Sequence, residues 1–402
     1  MEKNSQLNAF SVVSSLIISF IFFVKQVGFT AFSQRFSNTN TILEYVAFVL
    51  TILLVFWGLA YKLTIRKLFF FVALLIIILL TGRFSGYRSN YVQLLLLAFA
   101  VGGLQINAKQ LIKIFTVTMS ISIIMVVALS LVGILPKSGT ASKIIGGYQE
   151  TVYFYGFNHP NAFGTFLSVA YIGYSYIHDF KNKRKLIFYG ILVTIIVAIA
   201  GARTAALMSS SAVVAVYLVS IKRPTSQLKK HKLSRFSYLV APFGALLAYW
   251  LGMTYPSDLS QRINVLIPAR PMLWNIYLAN YGFKWFSIPP KLDFSVGSVT
   301  ATRGNGALDG GYIYVLVYLG LVALFIYFAM IASIIYFGRK YHNYYLSFIG
   351  LIIAVGMIPE SPMMLFFENP FLLFAGYFVL AKDSRCMMFK GLSEMEKDTN
   401  ES

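Results

Sequence analysis

Long apolar runs alternate with short polar connections along the whole chain. A transmembrane helix needs about 20 mostly apolar residues, and about 17 at the least. By that measure the pattern predicts about twelve membrane-spanning helices, because helices pair every backbone amide within the lipid. The predicted spans are 8–24, 42–61, 67–82, 91–107, 111–135, 161–178, 186–201, 203–221, 237–253, 311–337, 344–360 and 363–381.

Lysine and arginine residues indicate which side each connection faces. They crowd into the short connections 62–67, 181–185 and 222–235, whereas the alternate connections carry fewer for their length. Such clusters mark the cytoplasmic side. The sequence therefore predicts an all-α polytopic protein with both termini cytoplasmic. A single membrane domain, 1–381, is followed by a polar cytoplasmic tail, 382–402, which is expected to be disordered.

Two connections on the predicted outer face are longer than helix packing requires. They are 136–160 and 254–310, and the second is a large extracytoplasmic loop before the tenth predicted helix. The larger loop mixes charged and aromatic residues, which predicts an interfacial cap with an amphipathic helix over 259–280. Its aromatic residues, including Trp274 and Tyr277, are expected to form a belt at headgroup depth.

Composition and charge support the membrane class and exclude others. The chain has 402 residues, of which 58% are apolar and 12% charged, about half the charged fraction of a soluble domain. Its net charge of +20 is spread over short clusters, so no basic domain is available for nucleic acid. The single cysteine, Cys386, excludes a disulfide framework within the chain.

One histidine lies in a predicted outer connection. His159 stands in GFNHPNAFG at the mouth of the sixth predicted helix, where Pro160 is tolerated as a first helical residue. Asn161 is placed to cap that helix start or to bind a polar ligand. Two interpretations of His159 stay open: a side chain that satisfies the helix end, and a group that transfers a proton.

Arginine residues are the second set of outer candidates. Arg203, in GARTAAL, lies in a turn too short to hold its charge far from the membrane, and Arg262 and Arg270 lie in the larger outer loop. A cation at membrane depth is costly unless it faces a cavity, a headgroup or an acid. Contact with lipid phosphate and binding of an anionic ligand are the alternatives for Arg203.

Three outer carboxylates complete the set. Asp309 precedes the tenth predicted helix, and Glu360 lies in the PESP connection between the last two. Glu368, in FFENPF, is predicted about one and a half turns inside the last span. Such a carboxylate is either functional or part of a structural pair with an arginine.

Several familiar sites are absent from the sequence. With one outer histidine and no outer cysteine, a zinc site is not expected. The chain has no D-x-D, Walker, G-x-G-x-x-G or H-E-x-x-H motif. We therefore expect no metal and no cofactor.

The outer arginines, histidine and carboxylates suit a lipid-linked anion. The planar fork of arginine binds phosphate oxygens and stabilises a departing pyrophosphate. One buried carboxylate or imidazole then takes a proton from an attacking hydroxyl.

Four segments are similar to motifs of one family. They are GFNHPNAFG at 156–164, GARTAAL at 201–207, LSQRI at 259–263 and DGGYIY at 309–314. In this order the chain resembles the Wzy-type O-antigen, capsular and exopolysaccharide polymerases, which share a superfamily with the O-antigen ligases. Ala202, Gln261 and Gly310 replace the family's usual serine, glycine and asparagine.

The resemblance implies a GT-C-like enzyme of the bacterial inner or plasma membrane that joins polyprenyl-pyrophosphate-linked oligosaccharides by inverting glycosyl transfer. It implies no nucleotide and no metal, and it implies a flippase and a chain-length regulator as partner proteins. The implied catalytic bases are His159 first, then Glu360 or Asp309. The implied substrate-binding residues are Arg203, Arg262, Arg270, Asn161, Tyr312 and Glu368.

Other functions fit the same architecture. A lipid-linked oligosaccharide flippase has a similar helix number and a cationic cavity, but two similar halves or broken helices are expected of it, and neither is evident in the sequence. A ligase that moves the finished chain to another acceptor is hardly separable by sequence. A non-catalytic receptor would use the arginines as lipid anchors.

Overall fold

The computed structural model describes residues 2–81, 87–142, 149–178, 182–220, 236–267, 269–286, 290–292 and 308–380. The predicted tail, 382–402, lies outside these ranges. Within them the chain is almost entirely helical, as the apolar runs predict.

The first half of the chain holds nine helices and one hairpin among its described residues. They are α1 (Glu2–Gly28), α2 (Ala31–Arg35), α3 (Ser37–Ala60), α4 (Ile65–Thr81), α5 (Tyr87–Leu104), α6 (Ala108–Leu131), β1 (Ser138–Ser142), β2 (Gln149–Tyr153), α7 (Pro160–Ile177), α8 (Lys183–Ile199) and α9 (Arg203–Ser220).

The second half is more fragmented. Its α-helices are α10 (Val240–Thr254), α11 (Asp258–Leu266), α12 (Arg270–Tyr281), α13 (Gly311–Tyr318), α14 (Leu321–Lys340), α15 (Tyr344–Gly356) and α16 (Phe374–Leu380). Short 3₁₀ turns are Ser237–Leu239, Pro362–Met364 and Pro370–Leu373.

Five of the described helices are long and apolar enough to cross a membrane. They are Ser37–Ala60, Ala108–Leu131, Arg203–Ser220, Ser237–Thr254 and Leu321–Lys340. Shorter apolar helices are Val12–Gly28, Tyr344–Gly356 and Pro370–Leu380. Their length and apolarity indicate a helical membrane protein.

The two long connections are more structured than predicted. In 136–160, β1 and β2 pair antiparallel, with Ser138 opposite Tyr153. The single amphipathic helix expected over 259–280 is wrong. Two helices, α11 and α12, replace it, and the chain turns between them at Ala269, whose φ is 64°.

The predicted continuous helix over 311–337 is also wrong. The chain breaks at Gly320, whose φ of 91° is disfavoured for residues with a Cβ. The first amides of α14 are then satisfied from outside the helix: Leu321 N donates to Lys284 O at 2.8 Å, and Val322 N to Trp285 O at 3.1 Å. The segment that contains Lys284 and Trp285 therefore caps a helix that begins at the break.

The last predicted span, 363–381, is not one helix. Its first half is two 3₁₀ turns joined by irregular chain, and only Phe374–Leu380 is α-helical. Buried side chains satisfy the freed carbonyls: Tyr327 Oη donates to Met364 O at 3.0 Å, and Gln26 Nε2 to Phe367 O at 3.4 Å. Irregular backbone is tolerated here because the protein itself supplies hydrogen-bond partners.

Small residues bring α3, α5 and α16 into close contact. A Cβ on Gly376 would lie 1.7 Å from Ala98 O, one on Gly102 would lie 2.2 Å from Gly376 O, and one on Gly103 would lie 2.9 Å from Gly58 O. The glycines that lower the hydropathy of 91–107 therefore allow its helix to pack backbone against backbone.

Candidate functional site

The start of α7 fixes the position of two predicted site residues. His159 is the N-cap, and its Nδ1 accepts a hydrogen bond from Asn161 N at 3.1 Å. Pro160 follows as a first-turn residue. The interpretation of His159 as a helix cap is therefore confirmed, and Asn161 is left to direct its side-chain amide elsewhere.

Close packing joins the start of α7 to the start of α9. A Cβ on Gly164 would lie 2.5 Å from the Cβ of Ala202 and 3.1 Å from that of Ala205, and Ser168 Oγ donates to Ala205 O at 2.9 Å. Ala202 is fully buried at this contact. Because Ala202 and Ala205 contact Gly164, Thr204 between them lies near the start of α7.

A tryptophan holds the chain in front of α13. Trp274 is fully buried, and its Nε1 donates to Asp309 O at 2.6 Å. The next residue, Gly310, has φ 99°, and a Cβ there would lie 2.6 Å from Trp274 Nε1. Glycine is thus required at the position where the family has asparagine, and Asp309 is held in one place.

Arg270 joins two carboxylates at the start of α12. Its Nη2 lies 3.0 Å from Asp309 Oδ2 and 3.3 Å from Glu360 Oε1, and its Nε donates to Pro359 O at 3.4 Å. Asn161 Nδ2 donates to the same Glu360 oxygen at 3.2 Å. Residues far apart in the sequence therefore meet around one carboxylate, and we call His159, Asn161, Thr204, Arg270, Asp309 and Glu360 the Glu360 cluster.

Side-chain exposure increases across the Glu360 cluster. The Glu360 side chain is 5% exposed, that of Arg270 is 16% exposed and that of Asp309 is 48% exposed. Glu360 thus lies at the closed end, where an ionised carboxylate is costly, and Asp309 lies at the edge.

Burial decides the protonation of Glu360. Desolvation is the main cause that raises the pKa of its carboxyl to about 7, and the charge of Asp309 acts in the same direction. Arg270 and a hydrogen bond from Thr204 oppose the shift. Arg270 does not cancel it because the guanidinium is shared with Asp309, which it approaches more closely. At neutral pH Glu360 is poised between acid and base.

His159 is less suited to accept a proton. One face of the residue is exposed, but desolvation by the cluster lowers the pKa of its imidazole, Arg270 lowers it further, and Asp309 opposes both. Because Nδ1 accepts the Asn161 amide, the neutral ring carries its proton on Nε2. His159 is arranged to donate a hydrogen bond at the open side of the cluster.

The other two predicted arginines lie on the surface. Arg203 is exposed at the first position of α9, next to Thr204, and Arg262 is exposed on α11. Neither side chain forms a hydrogen bond or an ion pair with another described residue. Arg203 borders the Glu360 cluster through its neighbour, whereas Arg262 is not brought into contact with it.

Two predicted substrate-binding residues are buried instead. Tyr312 is 1% exposed, and its hydroxyl donates to Ala354 O at 2.7 Å, so it fixes α13 against α15. Glu368 is 0% exposed, which excludes direct contact with a substrate in this conformation. Its alternative as a structural partner of an arginine is also wrong among the described residues, because neither carboxylate oxygen has a partner there.

The sequence analysis missed Thr204, which belongs to the Glu360 cluster, and the burial of Trp274 and Tyr277 beside it. Thr204 lies in the segment GARTAAL, but only the packing of Gly164 against Ala202 brings it close to Glu360. Trp274 and Tyr277 were expected in an interfacial belt, and both are fully buried. Trp274 and Tyr277 are three residues apart and therefore lie on one face of α12, near Arg270. This spacing is the sequence signal from which their burial could have been predicted.

Within the described residues, no three or more histidine, cysteine, aspartate or glutamate side chains gather as a metal site would require.

No known protein-family profile matches the chain, and a search of curated proteins finds no match either.

Proposed function

We propose that the chain is a polysaccharide polymerase of the bacterial cell membrane. It joins polyprenyl-pyrophosphate-linked oligosaccharide units on the outer face, with about twelve spans and both termini inside. One observation carries the proposal. Three of the four segments that resemble Wzy-type polymerases, those of Asn161, Thr204 and Asp309, meet at Glu360, a carboxyl whose pKa of about 7 suits a general base.

The proposed reaction is an inverting transfer. A hydroxyl oxygen of one lipid-linked unit forms a bond to the anomeric carbon of the other, the bond from that carbon to the pyrophosphate oxygen breaks, and the polyprenyl pyrophosphate leaves. The proton of the attacking hydroxyl passes to ionised Glu360. Glu360 therefore replaces His159 as first choice of base, since His159 Nδ1 is already engaged as an acceptor.

Arg203 is our choice for the pyrophosphate. It is exposed, it stands in the first turn of an 18-residue helix, and its neighbour Thr204 hydrogen-bonds to Glu360. The helix N-terminus and the guanidinium both favour an anion there. Arg270 orients Glu360, Asp309 orients Arg270, and His159 donates from Nε2 to the sugar or the departing oxygen. Arg262 remains a candidate for the more distant part of the lipid-linked unit.

The flippase is the second candidate, and the structure gives one observation in its favour. The chain breaks at Gly320, and residues 362–373 are irregular inside the helical assembly. Discontinuous helices near the midplane are typical of transporters.

The decisive experiment uses the purified chain in lipid nanodiscs with one lipid-linked repeat unit. Polymerase activity gives a ladder of longer glycans and releases polyprenyl pyrophosphate, whereas the matched Glu360→Gln protein gives neither. In proteoliposomes, translocation of the unit without joining would support the flippase and contradict the polymerase.

A further inference from the structure

A second cation, apart from the Glu360 cluster, is buried, and part of its guanidinium lacks a hydrogen-bond partner among the described residues. Arg88 lies in the first turn of α5 and is 7% exposed. Its Nη2 is buried and has no hydrogen-bond partner within the part of the chain that the structure describes. An unpaired buried guanidinium is costly, because its lost hydration is not replaced.

A second unsatisfied donor lies on the same face of α5. Tyr91 stands three positions after Arg88, is 2% exposed, and its hydroxyl also has no hydrogen-bond partner in the described ranges. Residues three apart are neighbours on a helix surface. The ring of Tyr91 is stacked on Tyr327, with centroids 5.9 Å apart, so the hydroxyl is held in position. A guanidinium and a phenol side by side match the oxygens of a phosphate.

The nearby cation Lys25 is already paired with an acid. Lys25, which is 5% exposed, donates to Asn90 Oδ1 at 3.1 Å and pairs with Glu44 at 3.4 Å. Glu44 therefore balances Lys25, and Arg88 keeps its full charge. The N-terminus of the 18-residue helix α5 adds a partial positive charge.

The ligand's apolar part has a surface beside this site. α4 packs against α5 and ends just before it, and its last turns leave Ile76, Leu79 and Leu80 exposed at 51%, 78% and 48%. Arg88 begins the helix that follows α4 in the chain and packs against it, so the exposed aliphatic end of α4 is a candidate surface for a lipid chain.

We propose that Arg88 and Tyr91 bind the phosphate or diphosphate headgroup of a lipid, with the lipid chain against the end of α4. This site uses none of the residues of the Glu360 cluster and does not rest on the proposed function. Tyr314, which interacts electrostatically with Arg88, stands on the helix that Asp309 precedes. Arg88 therefore interacts with the helix whose start adjoins the Glu360 cluster.

The test measures binding of undecaprenyl diphosphate to the full-length protein in phosphatidylcholine nanodiscs. Arg88→Met should weaken binding at least tenfold, and Tyr91→Phe, which keeps the ring stacking, should weaken it about threefold. Arg35→Met, which removes an exposed arginine on the same predicted face, should change nothing. An unchanged dissociation constant in Arg88→Met overturns the proposal.

Stability gives an independent readout. Without ligand, Arg88→Met should unfold at the same or a higher temperature than the wild type, because it removes an unpaired buried charge. A lower unfolding temperature would show that Arg88 is structural and would overturn the site.

Two sources of the headgroup are separated by competition. Phosphatidylglycerol in the nanodisc, added without a change in undecaprenyl diphosphate, is the competitor. Displacement of the probe at equal mole fraction identifies an ordinary bilayer headgroup, and retention of the probe identifies an isoprenoid diphosphate. Either result supports the site, because the binding that is competed for is the binding that Arg88→Met removes. Loss of undecaprenyl diphosphate binding also differs from loss of polymerisation, which the Glu360→Gln protein tests separately.

Discussion

The side-chain amide of Asn161 donates to Glu360 Oε1 at 3.2 Å, across 199 positions of sequence. Arg270 approaches the same oxygen from a third part of the chain. Glu360 thus receives donors from α7 and α12 while it remains almost fully buried. Its protonation is set by this assembly, and the proposed chemistry depends on it.

Glu360→Gln tests the base. Loss of a general base lowers turnover by about 10²–10⁴-fold, so the variant should make almost no polymer. In the wild type, activity should rise with pH through about 7, as the carboxyl ionises. Polymerisation by Glu360→Gln at the wild-type rate would remove Glu360 from the reaction.

The same carboxyl links stability to pH. Because the folded-state pKa is raised above its ordinary value, the folded protein binds this proton more tightly than the unfolded chain does. Its stabilising contribution is full below the unfolded pKa and is lost as pH rises through about 7. The unfolding temperature should therefore fall over that interval in the wild type, and Glu360→Gln should show a smaller fall. Identical pH dependence in the two proteins would contradict the assigned shift.

Two substitutions of His159 separate its structural role from its chemistry. His159→Asn keeps an oxygen that caps α7, whereas His159→Ala loses the cap at a cost of about 1 kcal/mol. Neither variant has the Nε2 proton donor. Only His159→Ala should lower the unfolding temperature, while both should lower turnover more than lipid binding. Full activity in His159→Asn would show that the cap is the residue's whole contribution.

Arg203 and Arg262 are exposed, so their substitution tests function without disturbing packing. Arg203→Ala should lower kcat/KM by about 100-fold, comparable to removal of a donor to a developing anion, with an unchanged unfolding temperature.

Arg262→Ala should abolish long glycan and leave single units on the lipid. Normal chain lengths from Arg262→Ala would exclude it from substrate binding.

Gly376→Ala tests the contact of α16 with α5. The new Cβ would lie 1.7 Å from Ala98 O, and a backbone atom cannot rotate away, so a destabilisation of about 3 kcal/mol or more is expected. Gly356→Ala is the matched control, because its Cβ would meet no atom closer than 3.4 Å. Thermal unfolding of both proteins decides the matter. Equal stability of the two variants would refute the close approach.

The predicted elements agree with the structure where apolar composition alone decides. The spans 42–61 and 203–221 correspond closely to α3 and α9, because an uninterrupted apolar run satisfies its own backbone as a helix. The cap at His159 was also open to prediction, since Pro160 and the apolar run after it mark a helix start.

The breaks were not open to prediction from hydropathy. Gly320 lies within an apolar run, and α14 begins there only because Lys284 and Trp285 supply carbonyls from a distant loop. Pro362 and Pro370 indicated an interruption of the last span, but its irregular backbone is satisfied by Gln26 and Tyr327 from other helices.

The sequence by itself determined that the chain is helical and apolar, which of its polar residues fall in the connections, and where α7 begins. These are properties of neighbouring residues. Only the tertiary structure decided that Asn161, Thr204, Arg270 and Asp309 surround Glu360, that Glu368 is fully buried and that Arg88 Nη2 lacks a hydrogen-bond partner among the described residues. Such properties depend on burial and on partners distant in sequence, because the cost of a charge is set by what replaces its water.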